Sequence, residues 1–132
     1  MTPIGFGMVL AAALGGGIGA AARLMTVGWA SRLFGFSFPW GTLIVNVVGS
    51  LLMGLITGWL LARIEASSFL RVFLTTGVLG GFTTFSAYSL DFALLWEDHR
   101  HLAALLYASG SVVLSFAAVF IGLTLARLIF NS

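Results

Sequence analysis

The chain of 132 residues contains no cysteine and no lysine, and it has only two prolines. Without cysteine it can form no disulfide, no thiolate metal site and no cysteine nucleophile. Charge is scarce as well, since 8% of the residues are charged against about 25% in a typical soluble domain. These shortages exclude a soluble globular domain. The net charge of +2 is too small to indicate a nucleic-acid partner.

Long apolar runs stand where charge is missing. Formal charge is absent from residues 1–22, 33–62, 72–90 and 102–126. A membrane-spanning helix needs about 20 mostly apolar residues. The sequence therefore predicts an all-α integral membrane protein, a single domain over residues 1–132, with transmembrane helices at about 3–31, 37–63, 68–96 and 102–130. Ser37 and Pro39 are expected to open the second helix. The first run lacks a preceding basic segment, so we expect it to be retained rather than cleaved as a signal peptide.

The basic residues give no orientation to this arrangement. With four spans, three arginines fall on one side and three on the other: Arg63, Arg71 and Arg127 against Arg23, Arg32 and Arg100. The positive-inside rule counts such residues in short loops, and here the counts are equal. A chain without bias can insert in both orientations, so two copies could pair antiparallel. A single orientation, with one arginine dominant, stays open on this evidence.

Polar side chains recur inside the apolar runs. Asn46 and Thr42 share one face of the second helix, since positions four apart stack. Hydroxyl groups recur every four residues on the fourth helix, at Tyr107, Ser111 and Ser115. One such hydroxyl alone more often bonds to its own helix. Arg23 lies near the end of the first helix, and by itself it does not indicate an ion pathway. Together these donors, with Asp91 as the one nearby acid, favour an anion pathway over a cation pathway.

The third helix contains the weakest helix formers of the chain at its centre, in the segment GGFTTFSAYS, residues 80–89. We expect this helix to break between Gly80 and Thr83. A break exposes backbone carbonyls, which are cation ligands, and such backbone is tolerated in a membrane only where it is buried or lines a cavity. A simple kink or a close helix crossing is the alternative. Nearby phenylalanines have partly positive ring edges that can face an anion.

Four segments together resemble the CrcB/Fluc family of fluoride channels. They are GGFTTFSAYS at residues 80–89, GGGIGAAAR at 15–23, WGTLIVNVVGS at 40–50, and the hydroxyl series of the fourth helix. Each is weak alone, but their order and spacing match over nearly the whole chain. The resemblance implies an antiparallel, dual-topology homodimer in the lipid bilayer of the bacterial inner membrane. It also implies passive export of fluoride through two pores, and no enzymatic activity.

The resemblance also assigns roles to particular residues. It implies that Asn46 donates to fluoride and that Phe85 and Tyr88 offer ring edges; the family usually has phenylalanine at the second of these positions. The remaining expected pore residues are Ser111, Ser115, Tyr107 and Thr42. Arg23 is expected to place positive charge at an aqueous vestibule. The backbone carbonyls of Gly80 and Thr83 are expected to bind a structural Na⁺ at the dimer interface.

Two other functions compete with this one. A small multidrug transporter can also have four helices and dual topology, but proton-coupled cation export favours an embedded carboxylate, which the first helix lacks. An assembly subunit of a membrane complex would explain the abundant glycines but not the ordered hydroxyls. A membrane enzyme is the least favoured, since no nucleophile–base pair is evident.

Overall fold

The chain forms four helical spans in its computed structural model, which describes residues 3–63 and 65–131. The spans are long and apolar enough to cross a membrane, and they cover Phe6–Phe34, Trp40–Leu61, Ser68–Glu97 and His101–Phe130. All regular secondary structure within the described residues is helical. This confirms the all-α membrane fold with four transmembrane helices.

The first, second and fourth spans are single helices, α1 (Phe6–Phe34), α2 (Trp40–Leu61) and α6 (His101–Phe130). The third span is composite. It comprises α3 (Ser68–Val72), a π-helical segment (Phe73–Leu79), α4 (Gly80–Phe82) and α5 (Phe85–Glu97).

Helix starts differ in how well the sequence predicts them. The Ser67 hydroxyl caps α3 by accepting from the N–H of Leu70 at 3.1 Å. At α2 the start expected at Ser37 and Pro39 is wrong, because Pro39 occupies the N-cap, at φ −80° and ψ 64°, without a side-chain cap bond, and Trp40 is the first helical residue. The non-helical ψ of Pro39 keeps the residues before it out of the helix.

The third span breaks at Thr83 and Thr84. Both residues are extended, with φ −81° and ψ 156° at Thr83 and φ −150° and ψ 126° at Thr84. Gly80 is helical, at φ −63° and ψ −36°. The break is therefore confirmed near the predicted segment, but it follows the glycine pair instead of falling on it.

The glycines serve close helix packing instead. A Cβ atom at Gly15 of α1 would lie 2.5 Å from the carbonyl oxygen of Phe73, and one at Gly81 would lie 2.5 Å from that of Gly16. On the opposite side of the bundle, a Cβ at Gly54 of α2 would meet the backbone of α6. Small residues allow helices to approach closely where lipid removes the hydrophobic drive between them.

Candidate functional site

The side chain of Asn46, on α2, forms hydrogen bonds with the backbone at the break in the third span. Its Oδ1 atom accepts from the backbone N–H of Thr84 at 2.8 Å, and its Nδ2 atom donates to the Thr84 carbonyl at 3.0 Å. A helix break in a membrane needs partners for its freed backbone groups, and the Asn46 amide supplies both. The amide has one further N–H, which remains for a ligand.

A groove of about 500 Å³ opens beside the Asn46 amide, between α2, the break and α6. Six of the predicted site residues line it: Asn46, Thr83, Phe85, Tyr88, Ser111 and Ser115. Phe85 is 77% exposed, so the groove is open on one side of the single chain. None of its described lining residues is acidic or basic, and its polar groups are an amide and hydroxyls.

Ser111 differs from the other hydroxyl residues of the groove. Its side chain is only 4% exposed, and its Oγ atom has no hydrogen-bond partner within residues 3–63 and 65–131. A buried polar group without a partner costs about 1–3 kcal/mol. An unpaired hydroxyl that lines a cavity therefore indicates a position where a ligand or water supplies the missing bond.

Two aromatic residues of the third span, Phe85 and Tyr88, lie side by side at the groove. The ring centroids of Phe85 and Tyr88 are 5.6 Å apart with an interplanar angle of 60°. The Tyr88 hydroxyl donates to the backbone carbonyl of Ala108 at 2.6 Å. Tyr88 thus connects α5 to α6, a contact that phenylalanine at this position could not make.

Neither Tyr107 nor Thr42 is among the described residues that line the groove, and Thr42 lines a second cavity. Tyr107 is buried, its ring contacts Tyr88 at 5.3 Å between centroids, and its hydroxyl donates to the Asp91 carboxylate at 3.0 Å. Thr42 and Asp91 line a cavity of about 270 Å³ beside the loop between α1 and α2. The predicted hydroxyl series therefore reaches from the groove toward this cavity, with the Tyr107 ring beside Tyr88.

Arg23 of α1 binds the other half of the broken span. Its Nε atom donates to the Gly81 carbonyl at 3.1 Å, which is one of the orphan acceptors at the end of α4. A cation is favourable at the C-terminal end of a helix. The arginine predicted for a vestibule thus has a structural contact of its own.

The carbonyls of Gly80 and Thr83 lose their helical donors at the break. The Thr84 N–H would close the turn onto Gly80 in a continuous helix, but it donates to Asn46. The Ala87 N–H would likewise reach Thr83, but it donates to the Thr84 hydroxyl at 3.2 Å. Both carbonyls are therefore released by identifiable contacts.

Sequence reasoning missed three of these contacts: Asn46 with Thr84, Arg23 with Gly81, and Tyr88 with Ala108. All join residues at least 20 positions apart. The hydrogen bond between Tyr107 and Asp91 could have been anticipated from the sequence, because Asp91 is the single acid within the apolar part of the third span.

The fold and the groove define a multi-pass membrane protein with an uncharged, donor-lined groove at a broken helix. Residues 10–123 match the family described as "CrcB-like protein, Camphor Resistance (CrcB)". The match covers most of the chain, which therefore belongs to the CrcB family, as its motifs predicted.

Curated relatives agree with this assignment. The chain is 54% identical over 114 residues, 86% of this chain and 91% of the relative, to the "Fluoride-specific ion channel FluC" of Chelativorans sp. (strain BNC1). It is 51% identical over 119 residues to the protein of the same name from Mesorhizobium japonicum, covering 90% of this chain and 95% of the relative. These names describe ion channels, so the expectations that the chain is a bacterial membrane protein and not an enzyme are confirmed.

Proposed function

We propose that the chain is a fluoride-selective ion channel that lets fluoride leave the cytoplasm passively across the bacterial inner membrane. The observation that carries this proposal is the buried hydroxyl of Ser111 in the groove, which has no hydrogen-bond partner among the described residues. The names of the relatives support fluoride as the ion. Fluoride enters a cell as the neutral acid and is trapped as the anion, so a passive channel is sufficient for protection.

The lining of the groove suits a small anion. Asn46 retains a free N–H, and the hydroxyls of Ser111 and Ser115 are donors at the same groove. Fluoride holds its water strongly, so a pore must replace that shell with close donors. Aromatic ring edges, here those of Phe85 and Tyr88, add partly positive groups without formal charge. These donors would bind an anion by donating hydrogen bonds to it. The close spacing of donors that small fluoride requires would disfavour the larger chloride.

The working unit we propose is an antiparallel homodimer with two pores. The equal division of arginines between the two sides permits both orientations. In a single chain the groove is open and Phe85 is 77% exposed. A second copy would close the groove and complete each pore, while Thr42 and Tyr107 would continue the path toward the second cavity.

We further propose that the dimer centre binds Na⁺ through the Gly80 and Thr83 carbonyls. Both carbonyls are released from helical bonding by the Asn46 and Thr84 contacts. Oxygen atoms are the ligands that such hard cations take. Two carbonyls from each copy would give four ligands about the dimer axis. Arg23, close to the same break, would add positive charge toward the aqueous vestibule.

Growth in fluoride tests the function in cells. A bacterial strain without its own fluoride-export proteins is transformed with this chain or with an empty vector and grown at increasing fluoride. We expect the chain to restore growth at fluoride concentrations that stop the empty-vector strain, with no effect on tolerance to chloride. Equal growth of the two strains, with the chain present in the membrane, would contradict the proposal and favour the transporter or assembly-subunit alternatives.

A further inference from the structure

The loop between α1 and α2, residues 35–39, forms part of the boundary between the second cavity and the water. All of its residues line the cavity of about 270 Å³, and residues 35–37 are also exposed at the surface. On α2, Thr42 lines the same cavity but is only 7% exposed. Access from the water to Thr42 therefore depends on where this loop lies.

The backbone of the loop is held by a side chain from the turn between α5 and α6. Arg100 occupies the N-cap position of α6, and its Nη1 atom donates to the Ser37 carbonyl. Within residues 3–63 and 65–131, no other hydrogen bond joins this loop to a residue outside α1 and α2. The backbone N–H of Arg100 donates to the Leu95 carbonyl at 3.0 Å, and its carbonyl accepts from the Ala104 N–H at 2.9 Å. The guanidinium therefore reaches the loop from a hydrogen-bonded turn.

A second contact anchors the next residue of the loop. The ring centroid of Phe38 lies 5.5 Å from that of Tyr107, with an interplanar angle of 89°, which is the edge-to-face arrangement that aromatic pairs prefer. Where the loop leaves α1, Gly35 has a φ of 79°, and glycine has wide backbone freedom. The anchors at Ser37 and Phe38, rather than the connection to α1, therefore fix the position of the loop.

We propose that Arg100 is a positioning residue, whose bond to the Ser37 carbonyl latches the loop over the second cavity and so restricts the passage of ions between that cavity and the water. A guanidinium suits this position, because a hydrogen bond from a charged donor is stronger than a neutral one. The effect on ions rests on the proposed function, since it takes the second cavity as one end of the fluoride path. The latch itself does not rest on that function.

Cysteine modification tests the latch without any ion flow. The chain contains no cysteine, so Thr42→Cys introduces a single thiol into the cavity. Its rate of reaction with methyl methanethiosulfonate, which is small and uncharged, is measured in detergent with and without Arg100→Gln. We expect Arg100→Gln to accelerate the reaction about tenfold, which corresponds to about 1.4 kcal/mol. Loss of a nearby positive charge would by itself disfavour the reactive thiolate, so an acceleration reports access.

Two further variants separate the bond from the charge. Arg100→Lys keeps a cationic donor, and in the Thr42→Cys background it should leave the reaction slow. Arg32→Gln removes the same charge from an exposed position in the last turn of α1, and it too should leave the reaction slow. If Arg100→Gln does not fold, Phe38→Ala removes the other anchor of the loop and should accelerate the reaction in the same way.

Fluoride efflux from proteoliposomes connects the latch to the proposed function. With Thr42 in place, Arg100→Gln should raise the maximal rate of fluoride efflux about threefold, half of the tenfold effect on a free-energy scale, because the groove also limits the flux. Fluoride should stay preferred over chloride, since the groove is unchanged. The measurement is made at about 1 M ionic strength, where charges more than about 3 Å apart are largely screened.

Two results would overturn the inference while leaving the proposed function standing. One is an equal rate of thiol reaction with and without Arg100→Gln. The other is a faster thiol reaction together with an unchanged efflux rate, which would show that the loop does not restrict the ion. Failure of the unmodified chain to conduct fluoride is a different outcome. It would overturn the proposed function and the effect on ions, while the thiol reaction would still decide whether Arg100 latches the loop.

Discussion

Asn46 and Thr84 form a pair of hydrogen bonds in which one side-chain amide holds both polar backbone groups of one residue, at 2.8 Å and 3.0 Å. The pair joins α2 to the third span where that span is not helical. It also takes the N–H that a continuous helix would direct to the Gly80 carbonyl. One amide therefore stabilises the break, lines the groove and takes the helical donor of the Gly80 carbonyl.

Asn46→Asp should abolish fluoride conduction. A carboxylate still accepts from the Thr84 N–H, but it cannot donate to the Thr84 carbonyl, and it places a negative charge at the groove. Loss of a buried hydrogen bond costs about 1–3 kcal/mol, and each 1.36 kcal/mol at the barrier is a factor of about ten in rate, before repulsion of the anion is included. We expect efflux from proteoliposomes to fall at least tenfold.

Asn131→Asp is the control for this change, because it makes the same substitution at the exposed end of α6. It should keep the efflux rate of the unmodified chain. Undiminished efflux through Asn46→Asp would remove Asn46 from the pore.

Arg23→Gln should destabilise the backbone on the N-terminal side of the break in the third span. The variant loses the charged donor at 3.1 Å from the Gly81 carbonyl, and a hydrogen bond to a charged group contributes about 1.5–3 kcal/mol. We expect a lower thermal unfolding temperature in detergent, together with slower fluoride efflux at low ionic strength. Arg32→Gln removes an exposed arginine from the last turn of the same helix and should change neither. Equal behaviour of the two variants would assign no role to the Arg23 contact.

Gly15→Ala should destabilise the bundle, whereas Gly17→Ala should not. An added Cβ at Gly15 would lie 2.5 Å from the Phe73 carbonyl oxygen, while one at Gly17 would meet nothing within 4 Å. Backbone atoms cannot move aside as a flexible side chain can, so α1 and the third span would have to separate. Thermal unfolding of the purified protein measures the difference. Equal unfolding temperatures for the two variants would contradict the close packing of these helices.

Removal of Na⁺ should stop fluoride conduction if the released carbonyls bind it. Protein is purified and reconstituted without Na⁺, with N-methyl-D-glucamine at the same ionic strength, and efflux is measured before and after Na⁺ is returned. We expect little efflux before the addition and recovery after it. Full efflux in protein that has never been exposed to Na⁺ would contradict the sodium site.

The four spans could be predicted from sequence because apolar length is a local property. Charge-free runs such as residues 33–62 and 102–126 have to cross the bilayer as helices, and α2 and α6 lie within a few residues of these runs. The small residues are visible in the sequence too, and Gly15 is one at which α1 closely approaches the third span.

The position of the break could not be predicted in the same way. Local propensity favours the Gly80–Gly81 pair, since glycine is a weak helix former, yet both residues remain helical. The break lies instead at Thr84, whose backbone is hydrogen-bonded by Asn46, 38 residues away in the sequence. The Tyr88 contact with Ala108 depends in the same manner on how α5 packs on α6, which no local pattern contains.

Ion efflux from liposomes tests the central claim most directly. The purified protein is reconstituted in Na⁺, the liposomes are loaded with either fluoride or chloride, and release is followed with ion-selective electrodes. The account predicts rapid release of fluoride and no release of chloride above that of protein-free liposomes. Release of neither ion from folded protein, or equal release of both, would contradict a fluoride-selective channel.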